Sequence, residues 1–210
     1  MAAASAKLVK RVLKSALHTD KMKPYAARTH TKMKEVLMKP GAPAPSVHYY
    51  MIRGGSSKKN VTVLEPGKVG VEYIKTYGHY HVGKLDETYW IVQGKGIVIL
   101  QKRKTKNGKP LDNEIESFKA IFVKPGKSVY IPEKVGHLLV NTGKTWLVTI
   151  DDSPVSFTKK DEASMPGHAD YEPVRKMRGF AYYVVASSKG PTFIKNPRYK
   201  KVPKAEITRI

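Results

Sequence analysis

The sequence predicts an all-β protein, folded as an antiparallel sandwich or barrel and preceded by a short N-terminal helical extension. Two observations lead to this prediction. From residue 48 onward the chain contains short runs rich in Val, Ile, Tyr and Thr, the residue types that favour strands. Turn-forming dipeptides separate these runs, and no helical period lies between them. Short strands at this close spacing are typical of sandwiches and barrels.

Ten runs are predicted as strands. They are residues 48–52, 61–64, 70–75, 88–93, 96–101, 117–123, 128–131, 137–141, 145–150 and 180–186. The turns between them are expected at dipeptides that contain glycine, among them Pro66-Gly67, Asn107-Gly108 and Pro125-Gly126. Residues 159–177 have no clear period and are expected to wrap over the barrel.

The N-terminal extension is predicted from its amphipathic pattern. Over residues 4–19 the apolar positions fall on one helical face, and lysines and an arginine fill the other. A Pro-rich linker at 39–46 then separates an extension, residues 1–39, from one main domain, residues 40–210, which ends in a basic tail. No acidic residue precedes Asp20, which is also typical of transit peptides. The protein is therefore expected in the cytoplasm, or in an organelle if residues 1–27 are a targeting segment.

The composition narrows the chemistry. The 210 residues include no cysteine, which excludes disulfides, thiolate metal sites and a cysteine nucleophile. No run approaches eighteen uninterrupted apolar residues, so we expect a soluble protein without a membrane-spanning helix. The net charge of +22 attracts polyanions or small phosphorylated substrates.

More than half of the excess positive charge lies at the two ends of the chain. Residues 1–39 hold ten basic and two acidic residues, and residues 195–210 hold six basic and one acidic. Solvated tails are the simplest interpretation. Binding of nucleic acid through these tails is an alternative that is not favoured, because only Tyr25 and Tyr199 supply aromatic rings there.

Three histidines and one glutamate form the candidate metal site. His79 and His81 are two residues apart, a spacing that puts two side chains on the same face of a strand. Glu87 follows them, and His137 lies on a later predicted strand. Three imidazoles and a carboxylate on the inner wall of a barrel suit a divalent ion such as Fe, Mn, Ni, Zn or Co. Ordinary buried or surface histidines are the alternative interpretation.

The surrounding spacing resembles the two motifs of the cupin superfamily. Six residues separate Glu87 from Gly94, and a second block runs through Gly126, Pro132, His137 and Asn141. Two departures stand out. Five residues separate His81 from Glu87, more than is usual, which makes Asp86 an alternative ligand. The second glycine is Gly136, directly before the histidine. Glu87 is preferred because the six-residue step to Gly94 fits it. The resemblance implies a cupin antiparallel β-barrel, a jelly roll.

Longer motifs are similar to those of the cupin-type glucose-6-phosphate isomerases. They are Thr62-Val63-Leu64-Glu65-Pro66-Gly67-Lys68-Val69-Gly70, Lys75-Thr76-Tyr77-Gly78-His79-Tyr80-His81, Glu87-Thr88-Tyr89, Gly94-Lys95-Gly96, Gly167-His168 and Asn196-Pro197-Arg198. This resemblance implies an isomerase of glycolysis and gluconeogenesis that interconverts glucose 6-phosphate and fructose 6-phosphate. It also implies that a divalent ion stabilises the negative charge of an enediolate, although a hydride shift is the alternative route.

The resemblance also implies site roles. Metal binding falls to His79, His81, Glu87 and His137. Catalytic roles fall to Glu87 as proton carrier, to His168 as ring-opening acid and base, and to Tyr89 as a group that positions the sugar. Phosphate binding falls to Thr62, Thr76 and Gly78, with Tyr171 as a fourth candidate. The resemblance and open sheet edges predict a homodimer.

Two other functions remain open. One is a different metal-dependent cupin enzyme, such as a dioxygenase or a sugar-phosphate epimerase, that uses the same ion with an open coordination position. The other is a non-enzymatic cupin that binds polyanions through its basic ends, supported by the net charge alone.

Overall fold

The computed structural model describes residues 26–52, 60–153 and 169–210. The predicted helix at 4–19 and His168 lie outside these residues. Within the described parts of the chain, no helix is long and apolar enough to cross a membrane.

Strands dominate the described residues. They are β1 (Ala26–Thr29), β2 (Val47–Ile52), β3 (Asn60–Leu64), β4 (Lys68–Val69), β5 (Glu72–Tyr73), β6 (Tyr80–His81), β7 (Glu87–Gln93), β8 (Gly96–Lys106), β9 (Lys109–Val123), β10 (Ser128–Ile131), β11 (Val135–Asn141), β12 (Leu147–Asp151), β13 (Ala169–Asp170), β14 (Tyr182–Ser187), β15 (Gly190–Lys195) and β16 (Glu206–Arg209). The helices are short: α1 (His30–Met33), a 3-10 turn (Lys34–Val36) and α2 (Glu172–Lys176). The predicted all-β class is confirmed.

Four sheets build the described part of the barrel. The six-stranded sheet has the order β1-β2-β3-β12-β7-β10, and the sheet β11-β8-β9-β16 has four strands. A second four-stranded sheet, β15-β14-β5-β4, and the pair β13-β6 complete the described part of the fold. Pairing within these sheets is antiparallel apart from β16, which runs parallel to β9. The predicted antiparallel jelly-roll architecture is confirmed.

The core lies between the six-stranded sheet and the sheet β11-β8-β9-β16. Leu64 and Ile91 of the six-stranded sheet belong to the same buried cluster as Ile97, Ile99 and Leu139 of the other sheet. The cluster follows from the period of two, which sends alternate side chains of each strand to the interior. Interior positions of the strands are therefore the places to look for site residues.

The β8–β9 hairpin confirms one predicted turn and extends beyond the predicted strands. Asn107 and Gly108 connect the strands with φ of 50° and 74°, the left-handed conformation that Asn-Gly favours in tight hairpins. Both strands are longer than predicted because polar cross-strand pairs extend the ladder beyond the apolar residues. Arg103 Nη1 lies 2.6 Å from Asp112 Oδ1, for example.

Residues 26–39, placed in the N-terminal extension by the sequence, contribute to the barrel in the structure. Strand β1 pairs with β2, and Met33 and Val36 are fully buried. The Lys75 ammonium donates to the Val36 carbonyl at 2.6 Å and lies 2.7 Å from Glu72. The Pro-rich linker at 39–46 therefore connects two segments, residues 26–39 and β2, that pack in the same barrel.

Other differences concern short or exposed elements. The run predicted at 70–75 forms only the two-residue strand β5, because Gly70 and Val71 lie in a turn and Lys75 pairs only through an isolated bridge to Val140. Strands β15 and β16 were not predicted. Most of the residues of β16 are polar or charged and all four are exposed, so this strand has no apolar alternation to detect.

Candidate metal and substrate site

Two strand segments bring the three histidines together. His79 and His137 face each other in an antiparallel bridge, in which each backbone N–H donates to the carbonyl of the other residue at 3.2 and 3.0 Å. His81 lies two residues after His79, at the end of β6, and therefore on the same face. The ring centroids of His79 and His137 are 4.4 Å apart, and those of His81 and His137 are 4.9 Å apart.

Glu87 completes the group from the first position of β7. Its Oε1 atom lies 2.6 Å from His137 Nε2 and 3.3 Å from His81 Nε2. One ligand atom from each of His79, His81, Glu87 and His137 falls within 4.8 Å of all the others. The carboxylate is 4% exposed, and His137 is 1% exposed.

The alternative ligand Asp86 points elsewhere. Its Oδ2 atom accepts a hydrogen bond from the Tyr130 hydroxyl at 2.6 Å on the exposed surface. Because neighbouring strand residues face opposite ways, only one of the two acids can reach the interior. The structure places Glu87 there.

His81 is oriented by its backbone neighbour. Its Nδ1 atom lies 3.0 Å from the Leu85 carbonyl oxygen, which can only accept, so Nδ1 carries the hydrogen. This tautomer leaves a lone pair on Nε2, on the side that faces Glu87. Metal-binding histidines commonly donate their second nitrogen in this way.

The charges within the group depend on one another. Burial alone favours the neutral acid, but His137 and His81 outweigh it and hold the pKa of Glu87 well below its usual value. Burial likewise lowers the pKa of His81, but the nearby Glu87 carboxylate outweighs it and the pKa is raised. Glu87 is therefore a carboxylate at neutral pH, the form in which it can bind a cation.

The donor set fits a divalent metal ion. Imidazole nitrogens and a carboxylate oxygen are borderline to hard ligands, as Fe, Mn, Ni, Zn and Co prefer. Ligand atoms about 2.0 to 2.2 Å from one ion lie at most about 4.4 Å apart, close to the observed spread. His137 Nε2 is buried and faces the Glu87 carboxylate at 2.6 Å, so the nitrogen and the oxygen point toward the same space, as expected for two ligands of one ion.

A small, partly open cavity lies beside the histidines. It is lined by Tyr49, Met51, Thr62, Thr76, Gly78, His79, Tyr89, His137 and Tyr171. The five residues predicted to position the sugar or bind its phosphate, other than the undescribed His168, all belong to this lining. Two metal-site histidines share the same cavity, so a ligand there reaches both groups.

Glycines at two positions permit the close packing of the site. Gly78 has φ of 80°, and a Cβ there would come within 3.3 Å of the His137 carbonyl oxygen. A Cβ on Gly136 would lie 2.6 Å from the Tyr80 ring. The glycine directly before His137 therefore has a packing reason: it admits Tyr80 next to the metal-site strand.

Sequence reasoning missed Tyr49 and Met51, which line the cavity, and Arg28, which lies behind Tyr49. Tyr49 and Met51 alternate along β2 with residues on the other face. The alternation alone cannot tell which face is interior, because both faces of this strand are apolar.

A sequence profile of the glucose-6-phosphate isomerase family matches residues 48–200. The glucose-6-phosphate isomerases of Thermococcus onnurineus and Pyrococcus furiosus are 36% and 37% identical to this chain over 141 and 142 residues, or 66% and 67% of its length. These alignments cover 62% and 63% of the two relatives, so the chain spans less than two thirds of each. Among solved structures, CapF, a capsular polysaccharide assembling protein from Staphylococcus aureus, is similar at a TM-score of 0.40 and 20% identity, over 59% of this chain and 32% of CapF. By the profile match, which includes all four residues of the His/Glu group, the chain belongs to the glucose-6-phosphate isomerase family.

Proposed function

We propose that the protein is a metal-dependent aldose-ketose isomerase that interconverts glucose 6-phosphate and fructose 6-phosphate. The observation that carries the proposal is the joining of a three-histidine, one-carboxylate group to a cavity lined by hydroxyl and backbone donors. Membership of the glucose-6-phosphate isomerase family supports it.

The four residues His79, His81, Glu87 and His137 would hold the ion. When bound, a divalent cation supplies positive charge beside the sugar's C1 and C2 oxygens, where negative charge develops during isomerisation. The ion's identity among Fe, Mn, Ni, Zn and Co is decided by metal analysis.

Glu87 and Tyr89 are the catalytic candidates within the described residues. They lie two positions apart on β7 and so share the interior face. The low pKa of Glu87 suits metal binding and makes it a weak base, so its second role as proton carrier requires that substrate binding raise that pKa. The Tyr89 ring meets His137 edge-on at 5.5 Å, and this contact supports a role for Tyr89 in positioning the sugar.

Other residues of the cavity lining would supply donors for a phosphate. Thr62 is 8% exposed and lies in the middle of β3, and Thr76 and Gly78 flank the segment that leads to the histidines. Hydroxyl and backbone N–H groups beside a glycine bind phosphate oxygens closely. Tyr171 also lines the cavity, and the centre of its ring lies 5.3 Å from that of His79. His168 remains a candidate for ring opening on sequence grounds.

A coupled assay tests the proposal. The purified full chain is supplied with glucose 6-phosphate, and fructose 6-phosphate is measured before chelation, after chelation and after return of each of the five metal ions. We expect activity that chelation removes and at least one ion restores. Absence of turnover in a folded, metal-loaded protein would refute isomerase activity. Oxygen uptake and epimer formation, measured in parallel, test for a dioxygenase or an epimerase.

The predicted cytoplasmic location and homodimer remain predictions. Sedimentation of the purified chain measures the oligomeric state directly.

A further inference from the structure

A buried arginine lies directly behind the cavity. Arg28, on β1, is only 4% exposed and pairs across the sheet with Tyr49, a cavity residue. Its Nε atom donates to the Tyr49 hydroxyl at 3.2 Å. An arginine side chain keeps its positive charge at any physiological pH, so this charge is permanent.

Arg28 also lies near two further aromatic residues. The guanidinium carbon lies 5.5 Å from the centre of the Tyr171 ring, which lines the cavity, and 5.2 Å from that of Tyr77. Tyr77 and Tyr171 meet edge-on at 5.4 Å. Arg28 therefore contacts two tyrosines that line the cavity, Tyr49 and Tyr171.

Tyr49 can transmit this charge. Its hydroxyl oxygen accepts from Arg28 Nε and from the backbone N–H of Tyr77, the second at 3.4 Å. With both lone pairs used, its own hydrogen is the group left to donate to a ligand. Donation by the Arg28 cation to this oxygen polarises the hydroxyl and makes it a stronger donor.

We propose that Arg28 determines the preference of this site for phosphorylated ligands, by placing a permanent positive charge behind Tyr49 and Tyr171. The inference rests on the proposed function, since it assumes a sugar phosphate as ligand, and it adds a residue to the threonines and glycine assigned above. Salt screens the exposed charges that contribute to the net charge of +22, whereas it screens a buried charge much less.

The expected effect can be bounded. Attraction between unit charges about 7 Å apart, at an effective dielectric constant of about 20, corresponds to roughly 10-fold to 100-fold in affinity. The effect belongs to binding of the phosphate, so KM should rise while kcat stays within a few-fold.

Calorimetry on the metal-loaded full chain tests the inference. Inorganic phosphate and fructose 6-phosphate are titrated into the parent and into Arg28→Met, Arg28→Gln and Arg28→Lys. A hydroxamate without a phosphate, which binds only the metal, serves as the control ligand. Lys32→Met is the matched control variant, because it removes one exposed charge from the same segment.

We expect Arg28→Met and Arg28→Gln to weaken both phosphate ligands at least 10-fold, with hydroxamate binding unchanged. Arg28→Lys should restore much of the loss, and Lys32→Met should match the parent. If Arg28→Met does not fold, Arg28→Gln and Arg28→Lys still isolate the charge. Equal weakening of phosphate and hydroxamate, or no weakening of phosphate, would overturn the inference. A chain that binds phosphate normally yet does not isomerise refutes the proposed function alone, because calorimetry measures the Arg28 effect without turnover.

Discussion

Replacement of Thr76 by valine separates a phosphate-binding role from a structural one. The Thr76 N–H donates to the Leu139 carbonyl, and the Leu139 N–H donates to Thr76 Oγ1, both at 2.9 Å. The hydroxyl oxygen therefore already has a backbone partner, and its hydrogen is what it can offer to a phosphate oxygen in the cavity. Valine keeps the shape of the side chain and removes both interactions.

Two losses of different kinds are expected from Thr76→Val. The buried Leu139 N–H loses its acceptor, which should lower the free energy of unfolding by about 1 to 3 kcal/mol. Loss of a hydrogen bond to a charged phosphate oxygen costs a further 1.5 to 3 kcal/mol or so in binding, about 10-fold to 150-fold in affinity. Thr76→Ser retains the hydroxyl and should stay close to the parent in both quantities.

Urea unfolding and calorimetry measure the two quantities separately. The binding titrations use fructose 6-phosphate and a hydroxamate that lacks a phosphate, each with metal-loaded protein. A Thr76→Val protein that is less stable but keeps its preference for fructose 6-phosphate over the hydroxamate would show that the hydroxyl only joins two backbone segments. That result would refute the phosphate assignment of Thr76.

Two further predictions concern a histidine in the proposed metal site and a buried histidine outside it. His137→Ala should reduce bound metal at least 10-fold, since even the loss of a residue that only orients a metal ligand lowers metal affinity or activity about 10-fold to 100-fold. Metal analysis of the purified protein checks this prediction, and full metal occupancy would contradict the proposed site. His48 is fully buried outside the site, and burial, followed by the charges of His30 and Lys75, lowers its pKa to about 3. Between pH 6.5 and about 3 the unfolded chain binds a proton that native His48 does not, so acidification should cost about 1.4 kcal/mol of stability per pH unit, or about 2 kcal/mol at pH 5. In urea unfolding, the His48→Gln protein should lose less stability than the parent between pH 7 and pH 5, and it should keep its metal. An equal loss of stability in both proteins would show that His48 is not the group that titrates.

The strands of the barrel were largely predictable because local patterns determine them. Residues 128–131 form β10 with the predicted bounds, and Asn107-Gly108 forms the predicted turn. The last strands were not predictable from the same patterns. β16 pairs with β9 through backbone hydrogen bonds between residues far apart in the chain, and its exposed side chains have no apolar alternation.

Some features of the candidate site could also be predicted from local patterns, and others could not. The step of two between His79 and His81 predicts a shared face from strand geometry alone. The spacing to Gly94 favoured Glu87 over Asp86, but spacing does not show which of the two side chains points inward. The structure shows that Glu87 faces the histidines and that Asp86 bonds to Tyr130 at the surface. The hydrogen bond from the Leu139 N–H to the Thr76 hydroxyl joins residues that are 63 positions apart in the sequence.

By itself, the sequence determined the all-β class, the residues of the His/Glu group and the resemblance to one isomerase family, because strand periodicity and motif spacing are local properties. Tertiary structure alone decided that residues 26–39 belong to the barrel and that Arg28 lies behind Tyr49. It also decided which alternating residues line the cavity. Those facts depend on the packing of segments that are distant in the chain, and no local pattern encodes which face of an apolar strand becomes the interior.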